Sequence, residues 1–237
     1  MTFFLALDDT DMPGTRGTGR LARGMVQDIE KRFPVKVTGI TRHQLFVHPT
    51  IPYTSHNSAA VLHIQKESSS NDDIIDSVFS YACSCVMDDF IEGSDPGVAV
   101  AEADQVSTAL VRFGSKAKSS RVTQDEAWHH AKEAGIQLSG LGGTSDGIIG
   151  ALASIGLAAS GSDGRFIMKD MLRDLMGPQP LSRLYESGVD VVRNVDGTDY
   201  TYETVYLHKF PKPALIDGKA VLFVVEHEGQ YWDVTIG

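Results

Sequence analysis

The run Thr2-Phe3-Phe4-Leu5-Ala6-Leu7 is apolar without alternation and stops abruptly at Asp8. A short unbroken apolar run of this kind reads as a strand buried on both faces. Leu21, Met25, Ile29 and Phe33 then recur at helical spacing and predict an amphipathic helix over 18–32, ended by Pro34. Strands are expected over 35–41 and 58–65, with the two-proline segment His48–Asn57 between them as a loop. A helix over 71–91 and a strand over 98–101 follow, the latter entered through the turn Asp95-Pro96-Gly97. The order β-α-β-β-α-β across residues 1–102 predicts a ferredoxin-like core in an α/β (α+β) protein.

Beyond this core, Thr123-Gln-Asp-Glu126 reads as a capping box that starts a helix to about residue 134. The glycine-rich stretch 140–147 leads into 148–159, apolar on nearly all sides and so a buried helix. Residues 167–187 read as helical with an interruption at Gly177-Pro178. From Val189 onward, Val/Tyr-rich stretches broken by Asp196-Gly197, Asp217-Gly218 and Glu228-Gly229 predict a small β unit. The composition shifts near 188, giving a catalytic core of 1–187 and a β segment of 188–237 that stands alone or adds strands to the main sheet.

With 31 acidic against 21 basic side chains, the net charge is −10. That balance argues against gripping nucleic acid through its phosphates, and against an anionic membrane surface. Cys83 and Cys85 are too few for an all-cysteine zinc site and read as reduced thiols on a helix, one of them in the core. No stretch approaches a membrane-spanning length, and residues 3–7 are too short for a secretory signal. A soluble, cytoplasmic protein is expected; its oligomeric state is left open.

Three segments carry candidate chemistry. Asp8, Asp9 and Asp11 place three mutually repelling carboxylates at the end of a buried strand. A divalent cation such as Mg²⁺, with substrate phosphates, offsets that cost; a solvated Asp-rich turn is the bland alternative. The loop 13–19 joins this strand to the first helix. In it Gly14 and Gly17 offer backbone N–H groups to an anion, as does Thr10 just before, and Arg16 offers a phosphate clamp. Thr18 there either caps the helix or meets a phosphate. Gly142, Gly143, Thr144 and Gly147 form a second glycine-rich loop, suited to phosphate contact or to close helix packing. Among the scattered histidines, His48 and His56 lie in the proline-rich loop with Tyr53 and are candidates to face a cleft. Trp128, beside His129 and His130, reads as core.

Leu7-Asp-Asp-Thr-Asp11 with Pro13, Thr18 and Leu21-Ala22 resembles the start of the archaeal tRNA-isoleucine agmatinylcytidine synthetases. Three further blocks are similar to that family in the same order: His48-Pro-Thr-Ile-Pro-Tyr53, Asp95-Pro-Gly-Val98 and Gly147-Ile-Ile-Gly-Ala-Leu-Ala-Ser-Ile-Gly156. The resemblance implies a kinase-like catalytic unit joined to a ferredoxin-like one. It implies binding of ATP and Mg²⁺, phosphorylation of an oxygen, and displacement of that phosphate by the amine agmatine. It assigns Asp8, Asp9 and Asp11 to metal and phosphates, and Thr18 to the threonine that is itself phosphorylated.

The family also has an OB-fold and a cysteine-rich zinc ribbon that grip tRNA; 237 residues with two cysteines have no room for the ribbon. Where the family has basic residues, this sequence has Thr54, Ser55, His56 and Asp146, and Gly17 stands in place of its cysteine. The expected activity is therefore ATP- and Mg²⁺-dependent phosphoryl activation with a small-molecule acceptor and an amine nucleophile. Two rivals are tRNA modification with a separate RNA-binding partner, favoured by a basic patch of Arg16, Arg20, Arg23, Lys31, Arg32 and Arg42, and a non-catalytic nucleotide-sensing or partner-binding module.

Overall fold

The computed structural model describes residues 1–15, 17–51, 56–67 and 73–236. Arg16 and Tyr53, two of the expected site residues, lie outside them. Strand β1 (Thr2–Asp8) is followed by helix α1 (Thr18–Arg32), β2 (Val35–Gln44), β3 (Ser58–Lys66), α2 (Ile74–Asp88) and β4 (Gly97–Glu102). These four strands pair antiparallel in the order β4-β1-β3-β2, the split β-α-β arrangement expected from the sequence.

β1 is buried on both faces because side chains alternate across it. Phe3, Leu5 and Leu7 pack with Ala22, Met25 and Ile29 of α1 and Val78 and Ala82 of α2. Phe4 and Ala6 join the opposite cluster, built by α3 (Thr108–Ala117), α4 (Gln124–Ala134) and α5 (Gly147–Ala159). α5 is apolar all round because it is enclosed between sheet and α3, with Ile148, Leu152 and Ile155 fully buried. Truncating such a side chain, Leu152→Ala for instance, is expected to cost about 2–5 kcal/mol. The next residue of β1 on this face is Asp8, a carboxylate carried into an apolar layer.

The chain continues with β5 (Gln137–Gly140), inserted between α4 and α5, which pairs with β4 at the sheet edge. After α5 come β6 (Arg165–Met168), β7 (Gly177–Pro180), α6 (Leu181–Glu186), β8 (Val191–Asn194), β9 (Thr204–Leu207), β10 (Ala214–Ile216), β11 (Lys219–His227) and β12 (Gln230–Val234). β6 pairs with β2 on one side and β10 on the other, so the C-terminal strands extend the main sheet. Their own core contains Leu172, Leu184, Val192, Leu207 and Leu222.

Several expectations are corrected. Residues 167–187 are not mainly helical: the segment holds the end of β6, a 3₁₀ turn at Leu172–Asp174, β7 and the six-residue α6. Gly177 takes a left-handed φ of 72° and the next residue is proline, which together prevent a continuous helix. α3 was not anticipated at all; Ser107 caps it by accepting from Leu110 N. Trp128 is 45% exposed, since Ala127 and Ala131 are the residues α4 turns inward. Cys83 and Cys85 are both half-buried against the α1–α2 cluster, and burial pushes the Cys83 thiol up to about 11.

Candidate active site

Asp8 is the last residue of β1, and its side chain points at α5. A Cβ on Gly150 would overlap Asp8 Oδ2, and one on Gly147 would overlap the Asp95 carbonyl oxygen. Glycines on α5 thus let a buried carboxylate and the β4 entry turn reach the helix. Asp8 is only 9% exposed, and its carboxyl is pushed up to about 8 by burial first, then by Asp9 and Asp11. Asp9 adopts a left-handed φ of 51°, and its carboxyl is pushed up to about 6 by burial, Asp95, Asp11 and Asp146.

These groups line a cavity of about 350 Å³ that also takes in Leu45, Phe46, Ile51 and Val122. Five carboxylates, from Asp8, Asp9, Asp11, Asp95 and Asp146, therefore border a pocket with one apolar wall. Sequence reasoning missed the part played by Asp95 and Asp146. Asp95 stood in a turn motif at the entry to a strand, and that position put it at the same sheet end as Asp8.

Thr18 sits where the loop closes back on the strand end. Its hydroxyl donates to Asp11 Oδ1 at 3.1 Å, and its oxygen accepts from the Thr10 hydroxyl at 3.1 Å and from Thr10 N at 3.4 Å. Gly17 is the N-cap residue of α1, and no side chain caps the helix. Capping is thus excluded for Thr18, whose hydroxyl is committed to Asp11 and Thr10.

The other expected residues divide. Gly147 lines the cavity, with its N–H on the Asp95 carbonyl at 2.9 Å. Gly142 packs against the Phe90 ring, Gly143 against the Asp95 carboxylate, and Thr144 N donates to Asp95 Oδ1. The second glycine loop is therefore closed around Asp95, and Gly142, Gly143 and Thr144 lie outside the cavity lining. Gly14 is a turn glycine at φ 85° that lines neither this cavity nor the one next to it. His48 stacks on Phe46 and pairs with Thr50 Oγ1 at 2.9 Å outside the cavity, whereas His56 lines it.

Among the described residues no three His, Cys, Asp or Glu side chains converge into a ready-made metal site. Asp8 faces α5, Asp9 turns toward Asp95, and Asp11 is taken by Thr18. Mg²⁺ does not need such a triad, since it is usually held by one or two carboxylates with waters and phosphate oxygens. Burial and neighbouring carboxylates raise both the Asp8 and the Asp9 carboxyl, and a bound cation would favour their ionised forms.

A second pocket, about 310 Å³, shares Asp11, Thr18, His56 and Ser58 with the first. Its character is opposite, for Arg20, Arg23, Arg42, Arg173 and Lys212 line it. Of the basic patch expected around α1, Arg20, Arg23 and Arg42 gather here, while Arg32 lies over Tyr81 at the far end of the helix.

No protein-family model matches the chain. The tRNA 2-agmatinylcytidine synthetase TiaS of Pyrococcus horikoshii is 34% identical over 165 residues, which are 66% of this chain and 36% of that protein. The chain resembles the tRNA-isoleucine agmatinylcytidine synthetases. It spans about a third of the length of that relative. Among solved structures, a tRNA fluorescent labeling enzyme is 25% identical with a TM-score of 0.54, over 66% of this chain and 36% of that one. TiaS in complex with its tRNA and ATP aligns over the same shares at 24% identity with a TM-score of 0.56, a likeness of fold. Among the described residues no helix is long and apolar enough to cross a membrane.

Proposed function

We propose that the chain is an ATP- and Mg²⁺-dependent enzyme that activates an oxygen of a small-molecule acceptor by phosphoryl transfer and lets an amine displace the phosphate. The observation that carries this is the Thr18 hydroxyl held on Asp11 at 3.1 Å, on the wall shared by an acidic and a basic pocket. A hydroxyl within hydrogen-bond reach of a carboxylate is the geometry of an activated nucleophile. As Thr18 Oγ1 bonds to the terminal phosphorus of ATP, ADP leaves and the hydroxyl proton passes to Asp11. The phosphoryl group then passes from Thr18 Oγ1 to the acceptor oxygen as Asp11 returns the proton to Thr18. The amine nitrogen, giving up a proton to solvent, bonds to the carbon bearing that oxygen as its C–O bond breaks and inorganic phosphate leaves. Asp8 and Asp9 are the residues that would hold Mg²⁺, which when bound neutralises charge on the phosphates. A cationic amine is drawn to the five carboxylates of the first cavity.

The similarity to TiaS supports an amine as reactant, since that relative is by name an agmatinylcytidine synthetase. It also favours a second reading, modification of tRNA, with the RNA gripped by a separate partner. Incubation with Mg·ATP and no acceptor tests the first step. Mass spectrometry is expected to find a phosphate on the peptide carrying Thr18 in the wild type and none in Thr18→Val. Absence of any phosphopeptide, with no ATP consumption across a panel of amines and acceptors, would remove the proposal.

A further inference from the structure

Five cations in one small pocket of a chain with net charge −10 need an explanation. They come from distant parts of the sequence: Arg20 and Arg23 from α1, Arg42 from β2, Arg173 from the turn after β6, and Lys212 from the segment before β10. Gly19 packs beside them, where a Cβ would come within 2.9 Å of Ile167 Cδ1. Among the described residues none of the five forms an ion pair with a carboxylate.

Two of them make hydrogen bonds to neutral groups. Arg42 Nε donates to Ser58 Oγ at 2.7 Å, and Arg173 donates to the Ile167 carbonyl at 3.2 Å, its guanidinium lying 4.0 Å from the centre of the Phe210 ring. Burial, then neighbouring cations, holds Arg23, Arg42 and Lys212 below their ordinary ranges; for Arg42 the carboxylate of Asp11 partly offsets this. Like charges kept this close, and outnumbering that one carboxylate, destabilise the fold unless an anion joins them.

We infer that this pocket binds the phosphate group of a phosphorylated small-molecule acceptor and holds that acceptor beside Thr18. Three features select this ligand. Arginine forks match phosphate oxygens in number and shape. A volume of about 310 Å³ suits a sugar-phosphate-sized molecule. Phe210, which lines the pocket at 39% exposure, offers one apolar face beside the charges. The shared wall of Asp11, Thr18, His56 and Ser58 puts a molecule anchored here within reach of the hydroxyl in the proposed phosphoryl transfer. The ligand's role as acceptor rests on that proposed function; phosphate binding does not.

The experiment titrates ribose 5-phosphate into the full chain already saturated with Mg²⁺ and β,γ-methylene ATP. Binding is expected with nucleotide present. Arg173→Gln with Lys212→Gln is expected to weaken it by about tenfold or more, through loss of charge-assisted hydrogen bonds, while nucleotide affinity stays put and Tm holds or rises. Lys212→Arg alone is expected to retain binding. Displacement of the sugar phosphate by nucleotide would show the pocket to be the triphosphate's own and overturn the inference. Unchanged affinity in the double variant would do the same. So would a tRNA transcript that loses affinity in the double variant when ribose 5-phosphate never binds. Failure of the nucleotide titration itself would instead count against the proposed function, and the sugar-phosphate arm would remain readable.

Discussion

Gly150 has no side chain where Asp8 needs the space: a Cβ at Gly150 would overlap Asp8 Oδ2. The carboxylate thus lies against the first turn of a buried helix, held there by packing. Gly150→Ala is expected to push Asp8 out of place, to cost about 1–3 kcal/mol of stability as an overpacked site, and to abolish Mg²⁺-dependent nucleotide binding. Thermal melts and calorimetric titration of the same sample check both parts. An alanine variant that keeps nucleotide affinity would show that the position of Asp8 is unimportant.

Asp8 should also trade stability for function. Its folded pKa is raised from 3.8 to about 8, so between about pH 4 and pH 8 the folded state holds a proton that the unfolded state has released. Metal-free stability therefore falls as pH rises through this window. Asp8→Asn carries no such charge, and it is expected to be more stable than the wild type at pH 8, with little difference at pH 4. The same variant should lose the rise in Tm that Mg·ATP gives the wild type. Equal melting points for the two proteins at pH 8 would contradict the role assigned to Asp8.

For Thr18 the expectation is a large kinetic effect with a small structural one. Thr18 does not cap α1, so Thr18→Val removes the hydrogen bonds to Asp11 and Thr10 without exposing the helix end. ATP turnover should fall by about 100-fold or more, while stability changes by about 1 kcal/mol. Thr18→Ser should keep measurable turnover. Initial rates and denaturant titrations separate the two effects.

A polar chain runs through the sheet away from the cavity. His43 Nδ1 pairs with Asp163 at 2.9 Å, and Thr41 Oγ1 contacts His43 Nε2 at 2.7 Å and His63 Nε2 at 2.8 Å. Burial lowers the pKa of both imidazoles, that of His63, set between the Phe4 and Phe166 rings, to about 3. Between about pH 6.5 and about pH 3 the unfolded chain binds protons that the folded one refuses, so these groups reduce stability as pH falls through that window. The slope opposes that of Asp8. His63→Phe is expected to flatten the acid limb below about pH 6.5 and to cost little at pH 8. Urea titrations at pH 5 and pH 8 measure the difference.

The first 102 residues were legible because periodicity and punctuation agree there. β1 has no alternation and is buried on both sides, and α1 starts and stops where Gly17 and Pro34 permit. The 167–187 segment misled because six helix-forming residues after Pro180 resemble a longer helix when the left-handed Gly177 is treated as a mere interruption. Within the site, Asp8, Asp9, Asp11 and Thr18 were visible as a local cluster. Asp95, Asp146, Arg173 and Lys212 were not, because only the strand order β4-β1-β3-β2-β6 brings their segments beside the end of β1. Gly142 and Gly143 matched a phosphate-loop composition and serve instead to admit Phe90 and Asp95.

Calorimetric titration of the purified protein with ATP, with and without Mg²⁺, tests the central claim most directly. Binding in the micromolar range that requires Mg²⁺ and is lost in Asp8→Asn is the predicted result. Absence of binding at millimolar ATP, or binding indifferent to Mg²⁺ and to Asp8, would contradict it and leave the carboxylate cavity without a role in phosphoryl transfer.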